Sequence, residues 1–258
     1  MDAASHLLPL SLPDRPPTPA TAFTGLLCSG RLVNPSQVDY GLVQQWLGTC
    51  DAKHMGPFHL QSLSQRTRIT PHCIDCQTHE IVQIPSHQYY VALSYVWGPQ
   101  HGASVSAKGE EYKLPQAGVP GVIQDAMAVV LELDKRYLWV DKYCISKDEE
   151  STKRLQIHSM HHIHEGAYVI ITACAGSDAS YSFPGTRRSR EQQPSVKTSR
   201  VTFVSSLPNL WTALRDSTWI TRGWTYQECV FVPPCAFLHR IPSLLRLPRR
   251  RASAVRPL

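Results

Sequence analysis

The sequence predicts a three-layer α/β domain with a mostly parallel sheet flanked by helices. Three stretches, at 89–98, 137–140 and 167–174, are aromatic and β-branched and lack polar alternation, so each reads as a strand buried on both faces. Segments of helical period join the first to the second (122–135) and the second to the third (151–166). That alternation is the pattern of parallel crossovers.

Taken in order, residues 1–37 are rich in Pro, Ser and Thr and read as a disordered leader without a packed core. Residues 38–50 read as a short helix with Val38, Leu42 and Trp46 on one face. A hairpin is expected within 60–86, where Ile74, Cys76, Ile81 and Ile84 alternate. The strand at 89–98 carries Ser94 and Trp97 toward its end, and 99–119 reads as loop. In 122–135 the residues Ile123, Ala126 or Met127, Val130 and Leu133 recur at helical spacing. That helix feeds directly into Tyr137-Leu-Trp-Val140. Around 151–166, Asp148, Glu149 and Glu150 lie at the helix start and histidines toward its end, both favourable to its dipole. Ile157, Met160, Ile163 and His164 are expected to face the core, with Gly166 as the stop. Residues 179–200 read as a polar, mobile loop.

Composition narrows the function. The net charge of +6 points toward nucleic acid only until it is located: the six arginines after Pro234 account for all of it, and the remainder balances at 20 basic against 20 acidic residues. No electrostatic footprint for nucleic acid is expected in the folded part. No stretch of about 18 apolar residues is present, so no spanning helix is expected. The start is broken by Pro9, Pro13, Pro16, Pro17 and Pro19 and lacks a basic region, unlike a secretory signal. The eight cysteines then read as reduced thiols of a cytoplasmic protein.

Two stretches carry candidate chemistry. Asp141 follows the strand Tyr137-Leu-Trp-Val140, and ligands of open parallel sheets bind outside the strands' carboxyl ends. Asp141 is therefore a candidate site residue, or else a helix-capping Asp. Ser94 and Trp97 lie at the corresponding end of the preceding strand, where Trp97 either lines a site or packs under the next loop. The densest stretch is Ser217-Thr-Trp-Ile-Thr-Arg-Gly-Trp-Thr-Tyr-Gln-Glu228. If helical, it puts Trp224 and Glu228 on one face, where a carboxylate beside an aromatic ring is biased toward proton transfer. The alternative is a structural Arg222–Glu228 ion pair. Cys50, His54, Cys73 and Cys76 have zinc-like spacing, but the last two fall in the alternating hairpin. His158 and His162 are four apart without a third ligand, so no metal is expected.

Tyr90-Val-Ala-Leu-Ser-Tyr-Val-Trp-Gly98, Tyr137-Leu-Trp-Val-Asp-Lys-Tyr-Cys-Ile145, Met160 through Gly166-Ala-Tyr168, Pro184-Gly185 and Arg222-Gly-Trp-Thr-Tyr-Gln-Glu228 together resemble the fungal heterokaryon incompatibility (HET) domain. The resemblance covers roughly 40–232 and implies a domain at 38–232, with the hairpin at 60–86 leading into a core at 87–232. It implies a distant relative of the TIR fold, a flavodoxin/TIR-like sheet. It also implies an effector of self/non-self recognition and programmed cell death, acting through self-association or a protein partner. TIR enzymes hydrolyse the nicotinamide–ribose bond of NAD with one Glu near a Trp. The alternative expectation is therefore an NAD glycohydrolase using Glu228, with Asp141, Ser94, Trp97, Arg222 and Trp224 around it and NAD as substrate rather than cofactor. A zinc-dependent binding module is the third reading. The sequence departs from the family at Ser146-Lys147, at His164 and after Phe231, where 233–258 become a basic Arg/Pro tail. That tail is expected to come from a truncated or misread coding sequence.

Overall fold

The computed structural model describes residues 7–9, 32–54, 70–85, 88–98, 113–115, 117–145, 150–205, 210–223, 235–238 and 244–246. Along the chain these form β1 (Leu7–Pro9), α1 (Tyr40–His54), β2 (His72–Asp75), β3 (Glu80–Gln83) and β4 (Tyr90–Ser94). Then come α2 (Gly121–Glu132), β5 (Tyr137–Trp139), α3 (Asp141–Cys144), α4 (Glu150–His158), α5 (Met160–Glu165) and β6 (Val169–Ala173). The remainder is β7 (Ser195–Lys197), β8 (Thr202–Ser205), α6 (Leu210–Arg215), a 3-10 turn (Thr218–Thr221), β9 (Cys235–Leu238) and β10 (Leu244–Arg246).

The main sheet has seven strands in the order β10-β9-β6-β4-β5-β2-β3. β4 lies between β5 and β6, parallel to both, and β9 adds parallel to β6. Every residue of β4, β5 and β6 is buried, as their unbroken apolar character requires. The sheet is mixed, which corrects the expectation of a mostly parallel one. The hairpin β2–β3 attaches antiparallel to β5, and β10 pairs antiparallel with β9, so parallel and antiparallel pairings are equal at three each. The tight turn fixes β2 and β3 antiparallel to each other, while the antiparallel sense of β2 against β5 is set by tertiary packing. A second, antiparallel sheet of three strands runs β1-β8-β7. β1 falls within the segment expected as a leader, and β9 and β10 within the tail.

Helix ends show how local sequence steers the chain into the sheet. At the end of α2, Asp134 takes a positive φ of 53°. Its N–H donates to the Leu131 carbonyl and the N–H of Lys135 to that of Val130, the paired bonds of a Schellman turn. Aspartate tolerates this left-handed conformation better than most residues, and the turn delivers the chain into β5 within a few residues. The Gln44 amide of α1 donates to the Glu132 carbonyl at 2.8 Å and to Asp134 Oδ2 at 3.0 Å, tying α1 to this corner. α1 itself starts on Asp39, whose Oδ1 accepts the Leu42 N–H at 2.9 Å.

Two helix readings change in detail. Because α1 begins at Tyr40, its core face is Tyr40, Val43 and Leu47, and Trp46 is turned out, 37% exposed. The single helix expected at 151–166 is two, α4 and α5, broken at Ser159, whose backbone leaves the helical region and precedes α5 as its cap. Met160, Ile163 and His164 are buried and Ile157 packs on the core, as the periodicity predicts. The His164 ring meets Trp139 edge-on at 5.1 Å between centroids, and the Tyr90 hydroxyl donates to the Ile163 carbonyl, so α5 seals the end of the sheet that begins β4. Among the described residues no helix is long and apolar enough to cross a membrane.

At the sheet's antiparallel edge, Arg136 donates to Asp75 Oδ2 from Nε at 2.9 Å and Nη2 at 2.6 Å, across the β2–β5 boundary. Burial pushes the Asp75 carboxyl up, but the Arg136 hydrogen bonds and charge and the Gln77 N–H outweigh it and hold it below its ordinary value. A lowered folded-state pKa contributes stability that is complete above the unfolded value of about 4 and lost as pH falls through the folded one. Asp75→Asn is therefore expected to lower the urea midpoint at pH 7 and to flatten its decline below about pH 4; equal acid slopes in both proteins would contradict this assignment.

Candidate functional site

The carboxyl ends of the three central parallel strands, β5, β4 and β6, define one rim. Ser94 closes β4 beside Thr172 of β6, and Asp141 opens α3 two residues beyond the end of β5. Since Ala92 pairs with Trp139 and Ser94 is two residues further on, Ser94, Thr172 and Trp139 share one face of the sheet.

Two indoles tie the rim together. Trp219, wholly buried in the 3-10 turn, donates from Nε1 to Ser94 Oγ at 2.7 Å. Trp97 donates from Nε1 to Asp141 Oδ2 at 3.0 Å, while Asp141 Oδ1 accepts the Lys142 N–H at 2.7 Å. Asp141 is half-buried and Trp97 is 41% exposed, so this carboxylate is oriented yet remains at the surface. The Trp97 ring stays exposed while its N–H turns toward Asp141, and the loop at 99–112 that follows lies outside the described residues. The turn bearing Trp219 is held by the Ser217 hydroxyl, which donates to the Leu214 carbonyl at 2.6 Å.

Tyr95 follows Ser94 directly in the chain. It is 1% exposed, and its hydroxyl has no hydrogen-bond partner among the described residues. Burial pushes its pKa far above the usual phenol range, with Asp141 and Tyr143 pushing the same way and the Arg222 charge opposing them. Asp141, Tyr143 and Arg222 thus all act electrostatically on one buried phenol.

Gly98 permits the tight closure of this rim. Its φ is +80°, and a Cβ there would fall 2.3 Å from the Asp178 Cβ. The loop after β4 thus lies directly against the loop after β6. Asp178 Oδ1 accepts the Ser180 hydroxyl at 2.6 Å and its N–H at 2.8 Å, which together hold that carboxyl below its ordinary value.

Of the residues predicted from sequence, Ser94, Trp97 and Asp141 come to this one rim, and Arg222 follows the turn bearing Trp219, with its backbone N–H donating to the Trp219 carbonyl. Trp224 and Glu228 lie outside the described residues, as do the side chains of Cys50 and His54. The segment leading to Trp224 reaches the rim through Trp219. Sequence reasoning missed Trp219 and Tyr95. Both are aromatic residues beside polar neighbours, and no periodicity separates an aromatic that packs from one that also hydrogen-bonds. Cys73, Cys76 and Cys144 are buried, and burial raises all three thiols, the last two to about 12. Such thiols stay protonated and are poor metal ligands. Among the described residues no three His, Cys, Asp or Glu side chains are grouped to hold a metal ion.

Residues 90–228 match the family described as heterokaryon incompatibility protein (HET), more than half of the 258-residue chain. The chain belongs to the HET family. A further similarity is to heterokaryon incompatibility protein 6, OR allele, of Neurospora crassa, 26% identical over 92 residues, covering 32% of this chain and 14% of that protein. The chain therefore spans a small part of the length of that relative. No solved structure matches. Within the HET segment, Ser94, Asp141 and Trp219 come from parts of the chain far apart in sequence and meet only through the parallel strands.

Two substitutions test this geometry. Trp219→Phe keeps the ring but removes the donor to buried Ser94, and should cost about 1–3 kcal/mol in urea unfolding. Gly98→Ala combines an unfavourable φ with contact against Asp178, and should cost a similar amount, about 1–3 kcal/mol. An unchanged midpoint for either would show that the rim is not held as described.

Proposed function

We propose that this HET-family chain is an effector of fungal self/non-self recognition and programmed cell death, acting in the cytoplasm by self-association and signalling to a protein partner. The observation that carries this reading is the convergence of the family-matching blocks on one rim: Ser94 and Trp97 from the first, Asp141 from the second, and Trp219 from just ahead of the third. Trp97 and Asp141 reach the surface of this rim while buried Ser94 and Trp219 hold it from beneath, so no single block presents it alone.

The same reading takes the core as a three-layer, flavodoxin/TIR-like arrangement. Right-handed crossovers from β4 outward to β5, and from β5 back past β4 to β6, require helices on opposite faces of the sheet. The order of β6, β4 and β5 then makes the β4–β6 boundary a topological switch point, where loops diverge and small ligands bind.

The rim also favours a second reading, hydrolysis of the nicotinamide–ribose bond of NAD. Glu228 would stabilise the oxocarbenium-like sugar as nicotinamide leaves and water adds to it, giving nicotinamide and ADP-ribose. Asp141, oriented by Trp97, and Ser94, held by Trp219, would shape the sugar pocket. Expression in fungal cells with NAD quantification separates the two readings. Growth arrest with NAD unchanged, in both the wild type and Glu228→Ala, is the expected result for assembly, accompanied by concentration-dependent self-association in sedimentation. NAD loss abolished by Glu228→Ala establishes catalysis instead, and absence of both arrest and self-association overturns the leading reading.

A further inference from the structure

Remote from the rim, the loop 184–190 carries three arginines in different circumstances. Arg187 pairs through Nε with Asp125 Oδ1 at 2.8 Å, and that carboxylate is fully buried. Arg188 lies over the Tyr181 ring, 4.2 Å from its centroid. Among the described residues Arg190 has neither kind of partner. It is 6% exposed, its Nε makes one long bond of 3.4 Å to the Pro184 carbonyl, and its Nη2 has no hydrogen-bond partner among those residues.

A guanidinium does not escape burial by losing its proton, and a buried charge without a counter-charge is strongly unfavourable. Burial lowers the Arg190 pKa, and among the described residues only Tyr40 opposes this. The surroundings are nonetheless built to keep the side chain inside. Its own N–H donates to the Pro35 carbonyl at 2.7 Å, and the Val38 N–H donates to the Gly185 carbonyl at 2.9 Å, so residues 35–40 clasp the loop. Gly185 has φ +82°, and a Cβ there would fall 2.3 Å from Arg190 Nη2, so only glycine lets the guanidinium lie against the turn. Tyr40 and Thr186 share one hydrogen bond of 3.2 Å between their hydroxyls, which leaves one O–H of the pair to donate elsewhere.

We propose that Arg190, with the Tyr40–Thr186 hydroxyl pair, binds a compact oxyanion of the phosphate type in a pocket between residues 35–40 and the loop 184–190. The site offers a planar cationic donor and a hydroxyl donor, and of the two carboxylates that act on Tyr40, Asp125 is paired with Arg187 and Glu132 is exposed to solvent. It uses none of the rim residues and stands independently of the proposed function.

The test is calorimetric titration of the full chain with inorganic phosphate at constant ionic strength, alongside melting curves in phosphate and in chloride. Wild-type protein is expected to bind phosphate and to melt higher as phosphate rises. Arg190→Met, which removes the buried charge, is expected to melt at or above the wild type in chloride and to show no phosphate dependence. If Arg190→Met does not fold, Arg190→Lys serves, with affinity for phosphate weakened at least about tenfold by loss of the planar fork. Adenosine monophosphate binding more tightly than phosphate assigns the oxyanion to a nucleotide, and equal or weaker binding assigns it to the free ion. No heat of binding, parallel melting shifts in wild type and variant, or acetate matching phosphate would each overturn the proposal.

Discussion

Tyr90–Ser94 is paired on both edges with parallel strands, and each of its side chains is buried, so the strand is isolated from water along its length. Its backbone groups have nowhere to go but the ladders on either side, which fixes the registers of β5 and β6. The polar residue that ends it, Ser94, must then find a partner inside the protein. The Trp219 indole supplies it, and with it comes the segment that leads into Arg222 and the last family block. The convergence of distant blocks on one rim is thus a consequence of satisfying one buried hydroxyl at the end of one dry strand.

What could be read from the sequence follows the same logic. The three central strands were legible because burial on both faces removes polar alternation, and α2 because a helix with a single dry face keeps its period. Asp141 was legible as a site residue because a carboxylate directly after such a strand falls at a rim whatever the strand order. The edge strands were not legible as members of the main sheet. Nothing in His72–Asp75 states that it pairs antiparallel with β5, since that choice is made by tertiary packing. The break at Ser159 was hidden because both halves keep their apolar spacing across it. The α1 face was misread for a simpler reason: counting from Val38, which precedes the helix, turns the pattern by about one position and brings Trp46 inward in place of Leu47.

The rim also shows why spacing alone could not separate a structural aromatic from a functional one. Trp97 and Trp219 each donate one indole hydrogen, yet one ring is 41% exposed and the other wholly buried. The exposed ring leaves its carboxylate partner at the surface, whereas the buried one anchors a turn. The distinction lies in the depth of the acceptor, which depends on three-dimensional neighbours rather than on the letters beside each tryptophan.

The clasp between the segment 32–40 and the loop 183–193 bears on where the folding unit begins. Val33 donates its N–H to Gln193 Oε1 at 3.1 Å, in addition to the Val38 and Arg190 backbone bonds. Residue 90, where the family match starts, lies well downstream of Val33, Pro35 and Val38 and of β2, which covers the outer edge of β5. A fragment trimmed to the matching segment would expose that raw edge to pairing with other chains and strip the loop of its bonding partners. The autonomous unit is therefore longer than the homologous one, and aggregation of such a fragment would report on a missing flank rather than on any activity of the domain.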